Sequence, residues 1–422
     1  MSDKKTLIVL SNFRLLPFFA VLDVVFKRKR QDINILCTKA WIGNCDYGEF
    51  LPSWLKKLEL NILNIITKVV VLDNKIDIAE YPIAINGINS SLKSMTLDSR
   101  AKEEKYTVLY NALTQNAEGA IAVIKYLEKI GMNNIFEIIV FNGRGAAQFA
   151  VVHFAHQSRI KTSFIEYGFD SYSGYKLFPY PPHASGLISR DIIKIAQQKN
   201  WIFGQEIQKK IESQILGKLN NPFEKALRST KDAFEVVVFL GSDHEYTGID
   251  EEICQFKVQG NYELVKYAIN KYAAHYSVAV RAHPNQVSDP SHLETNANIV
   301  ELCKKNNIVF FQPDSRVSSH HLIRNCKLVV VEYSSIAYDA VYLGKKVDII
   351  GSLDLKTYLE EIPVKQDNMH TEQVSFYVAA LKELEIGLHF VEFSKPMKAL
   401  CFVLHILSAA MYKFKRMSSK FF

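Results

Sequence analysis

Two hydroxyl side chains, Ser334 and Ser335, stand between a β-branched run at 328–331 and an apolar, helix-like run at 336–343 that stops at Gly344, Lys345 and Lys346. The first run reads as a buried strand, and a glycine followed by lysines closes a helix. Hydroxyls where a helix follows a parallel strand meet free backbone N–H groups and the positive end of the helix dipole, a setting that binds phosphate. Serine is also a favoured N-cap, which accounts for one of the two. Glu332, just ahead of the turn, reads either as a ligand for a ribose hydroxyl or as the partner of a neighbouring lysine. A second strand, at 277–283, carries Arg281 and His283 to the same sheet edge and is followed by Pro284. There a histidine donates a hydrogen bond to phosphate, or adds charge when protonated, while the proline ends the strand. Taken alone, a His-Pro pair reads as a loop cap. Together with the serine pair it points to a phosphate-bearing ligand, with Arg281 counted in the same site.

Three other groups stand at strand ends. Asp243, in Gly241-Ser242-Asp243-His244-Glu245, follows the strand predicted at 235–240 and reads as a nucleophile or base suited to sugar transfer, or as a helix-capping loop residue. Asn142, Gly143, Arg144 and Gly145 follow a strand near 137–141. The glycines permit close backbone approach to a ligand and Arg144 suits an anion, although the run is neither a full dinucleotide fingerprint nor a Walker loop. Glu166, Tyr167 and Gly168 close the next strand. A stretch with Asp170, Tyr172, Tyr175, Tyr180, Pro181, Pro182 and His183 comes after, read as a loop that either stacks on sugars or simply lies on the surface. His153, His156, His320 and His321 lack a carboxylate or cysteine at ligand spacing and read as structural. No metal site is expected.

Strands are predicted at 6–12, 32–38, 68–73, 137–143 and 162–168, then at 235–240, 277–283, 308–312, 328–333 and 346–350. Helical segments lie between them, notably 14–28 and 101–130, with another after 370. This alternation predicts α/β architecture with parallel sheets and right-handed crossovers. The 422 residues exceed one ordinary core. The expected division is a Rossmann-like domain over 1–190, a helical and linker region over 191–234, a second Rossmann-like domain over 235–395 and a basic tail over 396–422. A cleft is expected between the two domains.

The net charge of +7 comes without an aromatic-interleaved basic patch, so nucleic acid is not an expected partner. Six cysteines without short paired spacing argue against a zinc site or a disulfide scaffold and fit a reducing compartment. The apolar run at 7–10 is too short for a signal peptide and reads as the first strand. The apolar run at 399–411 is followed by Lys413, Lys415, Arg416 and Lys420. It is shorter than the roughly 20 residues that span a bilayer, and reads as an interfacial helix on the inner membrane face or as a helix packed on the protein.

The ordered set Asn-Gly-Arg, Glu-x-Gly, a post-strand Asp, His-Pro and Ser-Ser before a helix resembles the bacterial capsule and lipopolysaccharide glycosyltransferases that use CMP-activated acidic sugars. The likeness covers roughly residues 137–351 and runs toward the β-Kdo transferases; polysialyltransferases share the His-Pro and Ser-Ser elements. The resemblance implies a GT-B-like fold and a cytoplasmic location. It further implies a CMP-sugar co-substrate with no other cofactor, and a glycan or glycolipid acceptor. His283, Ser334 and Ser335 would hold the CMP phosphate and Glu332 would lie near the nucleotide. Asp243 would face the anomeric carbon, with Glu166 on the acceptor side. A retaining transferase implies a glycosyl–Asp243 intermediate; an inverting one implies a carboxylate base. Two rival readings remain: a CDP-polyol phosphotransferase of teichoic-acid type, and a non-catalytic sugar-binding or scaffold protein.

Overall fold

The computed structural model describes residues 4–11, 21, 33–39, 41, 57, 60–61, 63–65, 67–73, 76–94, 107–143, 145–167, 175–181, 185–198, 234–241, 259–284, 286, 292–334, 336–351 and 356. The expected helices at 14–28 and after 370 and the tail at 396–422 lie wholly or almost wholly outside these residues, as does most of the helical and linker region expected at 191–234.

The first sheet contains β1 (Lys5–Val9), β2 (Ile33–Thr38), β3 (Lys68–Leu72), β4 (Ile135–Phe141), β5 (Lys161–Tyr167) and β6 (Tyr175–Phe178), in the order β3-β2-β1-β4-β5-β6. All neighbours pair parallel except β5 and β6. Four described helices go with it: α1 (Pro82–Ser94), α2 (Thr107–Ile130), α3 (Phe149–Gln157) and α4 (Ser185–Gln198). The second sheet contains β7 (Val236–Phe239), β8 (Val278–Arg281), β9 (Val309–Phe311), β10 (Leu328–Val331) and β11 (Lys346–Ile349). It is parallel throughout, in the order β11-β10-β7-β8-β9. Its helices are α5 (Asn261–Tyr272), α6 (His292–Lys305), α7 (Ser319–Asn325) and α8 (Ile336–Tyr342). Two Rossmann-like α/β units in tandem are the architecture the alternation predicts.

Valine-rich strands form here because both sheet faces are covered, the condition of a parallel sheet. In the second sheet the faces separate by strict alternation. Val236, Val238, Val278 and Val280 pack with Leu264, Val265 and Ala268 of α5 and with Ile299 and Cys303 of α6. Val237, Ala279, Val329 and Val331 pack instead with Leu322 and Ile323 of α7 and with Ala337 and Ala340 of α8. Burial pushes the Cys303 and Cys326 thiols up to about 11, so both stay protonated at neutral pH.

Two expectations about the first sheet change. Residues 175–178, read as part of a loop, form β6, an antiparallel edge strand that pairs Phe164 with Phe178 and Glu166 with Lys176. Four residues are too few for alternation to announce a strand. The predicted strand at 137–143 instead runs Ile135–Phe141, because Asn142 and Gly143 turn into left-handed backbone, with φ of 33° and 79°.

Candidate functional site

In the second sheet the chain steps from β7 to β8 to β9 on one side, then crosses back to lay β10 on the other side of β7. Such a reversal opens a crevice at the C-terminal ends of the two diverging strands, here β7 and β10. Val238 pairs with Val330 on one side and with Val280 on the other. Carrying that register three residues on sets Tyr333, Gly241 and His283 level with one another. Neighbouring strands are ~4.8 Å apart, so β10 and β8 run roughly 10 Å apart on either side of β7, and Tyr333 and His283 lie two residues past their ends. Ser334 follows Tyr333 directly. The two features singled out from the sequence therefore share one rim.

A chain of buried polar groups forms the floor beneath this rim. The Asn261 side chain brackets Gly241: Oδ1 accepts from the glycine N–H and Nδ2 donates to its carbonyl, both at 3.0 Å. Gln286 Nε2 donates to the same carbonyl at 3.1 Å, and Asn296 Nδ2 donates to Gln286 Oε1 at 3.2 Å. The Tyr333 ring lies over Gly241, where a Cβ would fall 2.1 Å from it. Only glycine admits that contact.

Glu332 is 1% exposed. Its carboxylate accepts the backbone N–H groups of Gln259 and, at 2.9 Å, of Gly260, which has no side-chain cap to offer α5. A carboxylate beside the orphan donors of a helix start is favourable. The group is closed off from solvent and engaged with the chain entering α5, partners that the sequence reading does not name. Arg281 is likewise buried and held by backbone groups. At 4% exposure its guanidinium donates to the carbonyls of Gln312 and Ser315, the latter at 3.3 Å, bracing the turn after β9.

His283 is half-buried, with Pro284 exposed beside it, and its carbonyl accepts from Gln286 N–H at 3.1 Å. Ser334, also half-buried, accepts weakly from Ile336 N–H at 3.4 Å, and its carbonyl receives Ala337 N–H at 3.1 Å. Ser334 thus contacts the first residue of α8 from two positions upstream. Helix α8 has only 7 residues, so its dipole adds less than the longer apolar run suggested. It ends as the sequence indicates. Gly344 adopts φ 70°, with Lys345 N–H on Ala340 O and Gly344 N–H on Val341 O, each at 2.9 Å. Ser335 and Asp243 lie outside the described residues, as do Arg144 and Gly168.

The first sheet reverses in the same manner between β1 and β4. At that edge Gly143 N–H donates to Gln148 Oε1 at 3.1 Å, Gln148 Nε2 donates to Ser11 Oγ at 2.6 Å, and Ala146 N–H donates to Ser91 Oγ at 2.8 Å. A Cβ on Gly143 would lie 2.6 Å from the Phe164 ring. The loop's glycine therefore accommodates a core ring, and these two N–H groups are taken by side chains. Asn142 stays half-buried at the rim, while Glu166 and Tyr167 end β5, the strand beside β4.

Sequence spacing missed two clusters. His320 Nε2 lies 3.0 Å from Asp339 Oδ2, both buried, joining α7 to α8, a carboxylate partner 19 residues away that ligand spacing does not reveal. Asp348 Oδ2 accepts from Tyr267 at 2.9 Å, Lys271 at 3.0 Å and Tyr272 at 2.5 Å, tying α5 to β11. Each pair spans 19 or more residues between different elements, a separation no local motif signals. Among the described residues no group of three or more His, Cys, Asp or Glu is arranged to hold a metal ion, and no helix is long and apolar enough to cross a membrane.

No protein-family model matches the chain, and no curated protein matches it. Among solved structures it is similar to the Thermosulfurimonas dismutans KpsC beta Kdo 2,7 transferase, at 15% identity and TM-score 0.37, covering 62% of this chain and 80% of that one. The beta Kdo 2,4 transferase of the same protein is similar at 12% identity and TM-score 0.35, covering 60% and 81%. A putative UDP-N-acetylglucosamine 2-epimerase from Listeria monocytogenes is similar at 12% identity and TM-score 0.30, covering 96% and 95%.

Proposed function

We propose that this chain is a GT-B-like glycosyltransferase that binds a CMP-activated acidic sugar, Kdo in the first instance, at the C-terminal edge of its second sheet. It transfers that sugar to a surface polysaccharide or lipid-linked glycan. The observation that carries the reading is the shared rim of the β7/β10 crevice, where His283 and Ser334 flank Gly241. In this proposal His283, Ser334 and Ser335 hold the phosphate and stabilise the leaving CMP. A single phosphate needs only such protein donors, so the reaction is metal-independent. Asp243, two residues past Gly241, acts on the anomeric carbon as nucleophile in a retaining reaction or as base in an inverting one, and Glu166 serves the acceptor side with Asn142 and Arg144. The 396–422 tail rests on the inner face of the membrane, which raises the local concentration of a lipid-linked acceptor.

A ligand that binds only the folded chain raises its melting temperature. The test compares CMP-Kdo, CMP-sialic acid and CDP-glycerol on the full chain and on His283→Ala. A CMP-sugar is expected to stabilise the wild type and to lose most of that effect in the variant. Stabilisation by CDP-glycerol alone overturns the reading in favour of polyol-phosphate transfer.

A further inference from the structure

The floor of the crevice is a continuous polar path through three adjacent strand ends. It starts at Glu332 after β10 and passes through the Gln259 and Gly260 N–H groups into the start of α5. Asn261, the first residue of α5, carries it to Gly241 after β7. Gln286 then takes it to the segment after β8, and Asn296 anchors it on α6. Glu332, Gly241, Asn261, Gln286 and Asn296 are buried and joined in series by hydrogen bonds, with Asn296 Oδ1 the one network atom left without a partner among the described residues, at the far end. Gly351, following β11, closes the near end, with room for no more than a hydrogen beside Glu332: a Cβ there would lie 2.9 Å from its Cγ. Both candidate phosphate ligands hang from this path. Ser334 is two residues past Glu332, and the His283 carbonyl is held by the N–H of Gln286.

We propose that Glu332 is a positioning residue. By clasping the backbone ahead of α5 it locks the ends of β10, β7 and β8 into one floor and fixes Ser334 and His283 at a set separation across the crevice. This inference rests on the proposed CMP-sugar reading. Gln in place of Glu keeps one acceptor oxygen and turns an NH2 group against the other N–H, so it loosens the clasp with almost no change in volume.

The test is a double-mutant cycle on the full chain, read as CMP affinity by calorimetry, with dCMP run in parallel. Glu332→Gln is expected to weaken CMP about tenfold in the wild-type background and far less once His283→Ala has removed the residue being positioned. CMP and dCMP are expected to weaken alike. Gln286→Leu, at the far end of the same path, carries the same expectation and serves should Glu332→Gln not fold. A merely structural role lowers the melting temperature while leaving the two backgrounds equally affected, which overturns the inference. Loss confined to CMP, with dCMP untouched, also overturns it, by making Glu332 a ribose ligand. A wild-type chain that binds no CMP overturns the functional reading and the inference together. A wild type that binds CMP, with both variants unchanged, overturns the inference alone.

Discussion

Glycine serves two different purposes in this chain, and substitution separates them. At Gly241 the demand is space: a methyl group would fall 2.1 Å from the Tyr333 ring, which is 1% exposed and has nowhere to move. Gly241→Ala is expected to cost about 1–3 kcal/mol, as overpacking does, and to weaken CMP binding by shifting Tyr333 and Ser334. At Gly131 the demand is conformation: φ is 81°, and the nearest atom to a Cβ is 3.4 Å away. Gly131→Ala should cost about 1–2 kcal/mol in backbone strain and leave CMP binding untouched. Urea unfolding and calorimetry on the two variants check the contrast. Residue types and strand-end positions picked out His283 and Ser334 from sequence alone. They gave no sign of the partners of Glu332 and Arg281, which lie 72 and 31 residues away in sequence. A buried side chain's role is set by what the fold brings beside it, and no local pattern records that.

The elements beside the site are tied by ionisable groups, and one tie makes stability depend on pH. Burial alone would push the Asp348 carboxyl up. The hydrogen bonds from Tyr272, Lys271 and Tyr267 outweigh it and hold the group below the ordinary aspartate value. The stabilisation is therefore present above the unfolded value of about 4 and is lost as pH falls through the lower folded value. Its partners limit the alkaline side. The Tyr267, Asp348 and Tyr272 contacts raise Lys271, while burial and then the Asp348 contact push Tyr272 up to about 12. Both contributions are complete below about pH 10 and fade as pH rises through the raised values. Asp348→Asn is expected to lose about 1–3 kcal/mol at neutral pH, with Lys271, half exposed, supplying little of it. The gap to wild type should narrow below about pH 4. Denaturant unfolding across pH checks this; a gap that stays constant to pH 2 contradicts the account. Strands such as β7 and β10 were legible because runs of Val and Leu admit little else. β6 was not, since Tyr175–Phe178 is short and becomes a strand only by pairing with β5.

The whole molecule repeats one device. Each sheet reverses its strand order once, between β1 and β4 in the first and between β7 and β10 in the second; of the described residues singled out from sequence, Asn142 and Gly143 follow β4, His283 follows β8 beside β7, and Ser334 follows β10. The edges differ in chemistry. At the first, side chains of Gln148 and Ser91 already take backbone N–H groups of the loop. At the second, the buried floor supports a rim that carries His283 and Ser334. The alternation of strands and helices made two parallel sheets legible. Strand order, and with it the crevices, depends on crossovers that the sequence does not spell out. The account predicts that a phosphate-bearing donor belongs to the second edge, and a crystal structure of the full chain soaked with CMP measures that directly. The phosphate is expected within hydrogen-bonding distance of His283 and Ser334. A phosphate bound instead at the first edge, beside Asn142 and Gly143, or crystals that take up no CMP, would contradict it.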